Sequence, residues 1–116
     1  MSPVVERYVA VARVGDVPEG GVKVVRIEDQ AIAVFLIDGK YYALDDVCTH
    51  DGGPLAEGAI EGMEIECPRH GARFDLLTGV AKTLPAIFPV NAYPVRISGG
   101  SVEVDIAAAT RELEIG

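Results

Sequence analysis

The chain has 116 residues, with 18 Asp and Glu against 10 Lys and Arg and a formal net charge of −8. That length suits one domain with a core of its own. The acidic balance argues against nucleic acid, whose phosphates would repel it. In chain order, Arg7 to Val14 alternates loosely as a first strand, and Gly15-Asp16 and Pro18-Glu19-Gly20-Gly21 follow as turns. Val22 to Glu28 is rich in β-branched residues, with Lys23 and Arg26 interspersed, as in a half-buried strand. Ala31 to Ile37 is an unbroken apolar run, too short for a helix, and is expected as a central strand. Asp38-Gly39 is a strong hairpin signal, because a type I′ turn needs positive φ at both positions. Lys40 to Leu44 is the return strand. Its Tyr41 and Tyr42 should send one ring to each face, one into the core and one to the surface.

Further on, Pro54 to Glu57 is expected as a poorly capped helical turn, Met63 to Glu66 as a short strand, and Ala72 to Leu76 as another, ended by Thr78-Gly79. Tyr93 to Ser98 and Ser101 to Ile106 should form a hairpin about Gly99-Gly100. The tail from Ala107 to Gly116 has helical composition but is short and mixed in charge, and is expected to fray or to form one or two turns. The N-terminal stretch has acids and an arginine within its apolar patch. It resembles neither a signal peptide nor a membrane anchor, so a cytoplasmic protein with no membrane partner is expected.

The only two cysteines and two histidines fall as Cys48-x-His50, a spacer of 16 residues, and Cys67-x-x-His70. Thiolate and imidazole are the side chains that bind borderline and soft transition metals. Each pair sits in polar, Gly/Pro-rich sequence, so two loop tips could clamp one centre. A tetrahedral structural zinc is one reading of two Cys and two His. A [2Fe-2S] cluster with Cys on one iron and His on the other is the second. The mixed pair on each loop favours the second, since zinc sites commonly group Cys with Cys and His with His.

The wording CTH…CPRHG closely resembles the Rieske family pattern C-x-H…C-P-x-H-G, and the resemblance runs from about Val22 to Ile106. It implies an all-β fold of antiparallel sheets. A base β-sandwich from residues 1–44 and 85–116 would carry an inserted cluster-binding subdomain, 45–84, with two ligand loops. It implies one [2Fe-2S] cluster held by Cys48, His50, Cys67 and His70, the cysteines on the inner iron and the histidines on the outer. Leu84-Pro85-Ala86 is similar to the proline loop that covers the cluster in this family. With both cysteines used as ligands, none is left for a disulfide, which fits a reducing compartment.

Charge places the potential above that of an all-cysteine centre. Two thiolates cancel the charge of two ferric ions and two sulfides, so the oxidised centre is neutral and easier to reduce. High-potential members of the family carry an extra disulfide and Ser and Tyr hydroxyls aimed at the sulfurs. The matching positions here read Gly53, Arg69, Ala72 and Phe74. Without those hydrogen bonds the potential is expected near the low end of the class, about −150 mV. The sequence thus resembles the small ferredoxins of bacterial ring-hydroxylating oxygenase systems.

Oxygenase chemistry would need a further iron held by two His and a carboxylate, and both histidines are already used. No Gly-rich nucleotide fingerprint precedes a helix. The expectation is a one-electron carrier, not an enzyme, between a flavin-dependent reductase and a terminal oxygenase. A small subunit of an assimilatory nitrite reductase and a zinc-stabilised interaction module are the alternatives. Asp45, Asp46, Asp51, Glu57, Glu61, Glu64 and Glu66 form either a solvated face or a docking rim for basic partners. Arg69 between the second loop's ligands is placed to touch such a partner.

Overall fold

The computed structural model describes residues 6–47, 54–68, 71–82 and 89–107. These form ten strands and no helix: β1 (Tyr8–Arg13), β2 (Gly21–Ile27), β3 (Gln30–Ile37), β4 (Lys40–Asp45), β5 (Ala59–Glu61), β6 (Glu64–Glu66), β7 (Arg73–Asp75), β8 (Ala92–Tyr93), β9 (Val95–Ser98) and β10 (Ser101–Asp105). All pairings are antiparallel, in three sheets ordered β1-β10-β9, β2-β3-β4-β8 and β5-β6-β7. The expected all-β architecture is present.

The second sheet is the middle layer, and β3 shows why its apolar run is unbroken. Side chains alternate across a strand. Ile32 and Val34 face the first sheet, where they pack with Val102, Val104, Ala43 and Tyr93. Ala33 and Phe35 face the other way and pack with Leu44, Ile65, Phe74 and Leu76. A strand buried on both faces has no polar side to show. Full burial of a side chain such as Phe35 contributes roughly 1.5–3 kcal/mol. The same geometry corrects the reading of the two tyrosines. Tyr41 and Tyr42 do point to opposite faces, but both faces are covered, so each ring is half-buried against a different core and neither lies on an open surface.

Two-residue turns set the hairpin registers. Asp38 and Gly39 both have positive φ, 52° and 78°, as the β3–β4 type I′ turn requires. Glu28 and Asp29, at 49° and 70°, make the equivalent turn between β2 and β3, without a glycine. Sequence reading carries the strand through Glu28 because neither residue is a turn marker of the usual strength. Aspartate tolerates the left-handed region, and the paired strands on either side hold Glu28 there.

Tyr93 to Ser98 is not one strand. It breaks at Pro94 into β8, which pairs with β4, and β9, which pairs with β10. Proline has no N–H to give to a ladder, and here the chain passes from the middle sheet to the first. Its carbonyl still accepts from Asp105 N at 3.0 Å.

The third sheet comes entirely from residues 59–75 and packs its inner face, Ile65 and Phe74, on the middle sheet. Sequence reading did not assign its first strand, β5. The segment before it, expected as a helical turn, is a single hydrogen-bonded turn. Gly58 N donates to Leu55 O at 2.9 Å, and the turn lies so close to β6 that a Cβ on Gly58 would meet Glu66 O at 1.7 Å. The expected tail from residue 108 onward lies outside the described residues.

Candidate metal centre

Of the four candidate ligands the described residues include Cys67. Cys48, His50 and His70 lie outside them, as do Gly52, Gly53, Arg69, Asp51 and the Leu84-Pro85-Ala86 segment. Cys67 follows β6 directly. Its N–H donates to Ala72 O at 2.6 Å, and its carbonyl accepts from Gly71 N at 3.0 Å, so the second loop is closed by main-chain bonds at its root. The strand period puts Ile65, Cys67, Ala72 and Phe74 on the inner face of the third sheet, and all four are buried in one core. The open, polar surroundings expected for this cysteine are therefore corrected: at the root of its loop, just after β6, Cys67 is 1% exposed. The alternation that runs into it from Ile65 was the signal that could have shown this. Ala72 and Phe74 bring only apolar surface to the thiol's surroundings, with no hydroxyl.

The first loop leaves β4 and returns at Pro54. Two consecutive carboxylates hold its described ends. Asp46 Oδ1 accepts from Leu55 N at 2.8 Å and Ala56 N at 2.7 Å. The turn read as poorly capped thus receives a carboxylate cap from nine and ten positions upstream. Asp45 reaches the opposite way. Its Oδ1 accepts from the Tyr93 hydroxyl at 2.6 Å and its Oδ2 from Asn91 Nδ2 at 2.8 Å. The main chain repeats the link, Asp45 N donating to Asn91 O at 2.9 Å. Asn91 Oδ1 is buried and has no hydrogen-bond partner among the described residues. Nothing local in the sequence marks Asn91 and Tyr93 as partners of an aspartate 46 and 48 positions away.

The remaining acids divide. Glu57 stands exposed in the turn. Glu61, Glu64 and Glu66 gather on the outer face of the third sheet around Arg73, at 2.6, 3.4 and 3.0 Å. The hydrogen bond that Arg73 donates to Glu61, with the fields of Glu61 and Glu66 and the bond it donates to Glu64, holds the guanidinium pKa above its ordinary value. The register sets Glu61 opposite Glu64 and Glu64 opposite Asp75, three carboxylates in one row. Like charges directly opposite are unfavourable, and Arg73 offsets part of that. Among the described residues no helix is long and apolar enough to cross a membrane.

Comparison with known proteins extends these observations. The ferredoxin component of a naphthalene 1,2-dioxygenase system from Pseudomonas aeruginosa is 37% identical over 102 residues, covering 88% of this chain and 98% of the relative. The solved Sphingomonas yanoikuyae B1 ferredoxin superposes with a TM-score of 0.80 at 38% identity, over 85% of this chain and 98% of its own. A chain in the complex of reduced oxygenase and oxidised ferredoxin of carbazole 1,9a-dioxygenase gives 0.79 at 32% identity, over 84% of this chain and 92% of its own. Residues 7–94 match the Rieske [2Fe-2S] domain, and the chain belongs to that family.

Proposed function

We propose that this chain is the ferredoxin component of a bacterial ring-hydroxylating dioxygenase system. It carries one [2Fe-2S] cluster and passes single electrons to a terminal oxygenase. The observation that carries the proposal is the Rieske domain match together with a complete set of two Cys and two His at the family spacing. The similar proteins support it, being named as ferredoxin components and, in one case, seen in complex with an oxygenase. The chain's role is electron transfer and not catalysis.

In this reading Cys48 and Cys67 hold one iron and His50 and His70 the other. The donor set fits the group: two thiolates and two neutral imidazoles leave the oxidised centre without net charge. Cys67 supports the fit: it is buried and in no disulfide among the described residues. Bound there, the cluster supplies a reversible one-electron couple. The protein's part is to fix the ligands, keep hydroxyls away from Cys67 through Ala72 and Phe74, and hold the potential near the low end of the class, about −150 mV. Residues 45–84 act as the cluster-binding subdomain on a base formed by 1–44 and 85–116, the two sharing the core around Phe35 and Phe74. The electron donor is a flavin-dependent NAD(P)H reductase, and the system works in the cytoplasm.

The test is metal and sulfide analysis of the purified protein with EPR of the reduced state. Equal iron and acid-labile sulfide and a Rieske-type signal are expected. Stoichiometric zinc without iron would overturn the reading.

A further inference from the structure

The two loops are closed by different means. The second lies between β6 and β7, which pair with each other, so a strand ladder ends at its root and Cys67 N–Ala72 O continues it. The first lies between β4 and β5, which belong to different sheets. No ladder joins its ends. Among the described contacts, what joins them is one oxygen, Asp46 Oδ1, accepting two main-chain amides on the far side. An ionised acceptor makes such bonds shorter and roughly twice as strong as neutral ones. The far side is itself fixed, because Leu55 is fully buried in the core that also holds Cys67. The near side is fixed by Asp45 on Asn91 and Tyr93.

We propose that Asp46 is a positioning residue for the cluster. Its carboxylate sets the separation of the first loop's ends and thereby the placement of Cys48 and His50 against Cys67 and His70. This rests on the cluster reading above. Glu19 provides a matched comparison within the same molecule. Its carboxylate also accepts two main-chain amides, Asp38 N at 2.7 Å and Gly39 N at 3.0 Å. It does so at the opposite end of β4, about 20 Å away along the strand.

The experiment follows loss of the visible cluster absorption in excess chelator, and the EPR of the reduced state, for holoprotein of wild type, Asp46→Ala, Asp46→Asn and Glu19→Ala. Outer-shell contacts to metal sites are typically worth 10–100-fold in affinity or activity, so Asp46→Ala should lose its cluster about tenfold faster or more, with broadened EPR lines. Asp46→Asn keeps an acceptor oxygen but loses the charge, and should fall between wild type and Asp46→Ala. Glu19→Ala should weaken the fold yet leave cluster loss and EPR unchanged. Equal acceleration in Asp46→Ala and Glu19→Ala, or equal loss in Asp46→Asn and Asp46→Ala, would overturn the proposal. If Asp46→Ala gives no folded holoprotein, Asp46→Ser, a shorter acceptor, takes its place under the same criteria. Wild type separates the two claims: no Rieske signal there overturns the cluster reading, whereas a wild-type signal that Asp46→Ala leaves unchanged overturns this inference alone.

Discussion

The Tyr93 hydroxyl donates to Asp45 Oδ1 at 2.6 Å, linking the last residue of β4 to the last residue of β8. The ring is 6% exposed, so water has little access to replace the bond. Tyr93→Phe removes the donor and leaves the carboxylate with Asn91 as its remaining described side-chain partner. The expected cost is that of a hydrogen bond to a charged group, ~1.5–3 kcal/mol. Urea unfolding measures it as a lower midpoint with an unchanged slope. An unchanged midpoint would mean that the link adds nothing to stability.

Ala72 and Phe74 are fully buried on the face that carries Cys67. Ala72→Ser and Phe74→Tyr should each raise the midpoint potential, because a hydroxyl directed at a cluster sulfur stabilises the reduced state. A bond to a charged group of ~1.5–3 kcal/mol corresponds to about 60–130 mV for one electron. Protein-film voltammetry reads the shift. No rise in either variant would show that these positions do not face the sulfurs.

Asp16 gives a pH dependence whose sign is fixed. Arg13 N donates to its Oδ2 at 2.9 Å, and Lys23 Nζ stands 3.7 Å away. The backbone bond from Arg13 and the field and hydrogen bond of Lys23 outweigh desolvation, lowering its pKa below 3.8. A carboxylate depressed in the folded state adds stability above its unfolded pKa and loses it as pH falls through the folded value. Wild type should therefore be more stable than Asp16→Asn at neutral pH. The difference should fade as pH drops below 3.8, in urea titrations taken into the acid range. A difference that grew on acidification would contradict the assignment.

Exposed acids near the first loop should speed the encounter with a basic reductase surface. Glu57 is the clean site, since Glu64 is already engaged by Arg73 and its reversal would set two cations side by side. Glu57→Lys should slow reduction by the reductase and leave the potential nearly unchanged. The rate of wild type should fall with salt, exposed charges being screened over about 10 Å at ~0.1 M. Stopped-flow reduction across an ionic-strength series is the measurement, and a rate indifferent to salt would remove the steering.

What the sequence by itself determined is local or periodic. The apolar run at Ala31 to Ile37, too short for a helix, marks a central strand. Asp38-Gly39 carries its own turn chemistry within two residues. The two Cys-His pairs carry their ligand chemistry in residue type and spacing. Each of these depends on neighbours a few positions apart, where chain geometry alone relates the residues. The tertiary structure decided what depends on the path of the chain. Pro94 marks a change of sheet only because β4 and β10 stand ready on either side of it. Cys67 is buried only because the third sheet lays its inner face on Phe35 and Leu44. Asp45 and Asp46 are adjacent and chemically identical, and the sequence offers both the same two roles, a solvated face or a docking rim. They serve different partners because strand pleating points them apart, one to Asn91 and Tyr93 and the other to Leu55 and Ala56. A carboxylate's partner is whichever donor the fold brings within 3 Å, and no pattern within the sequence encodes that distance.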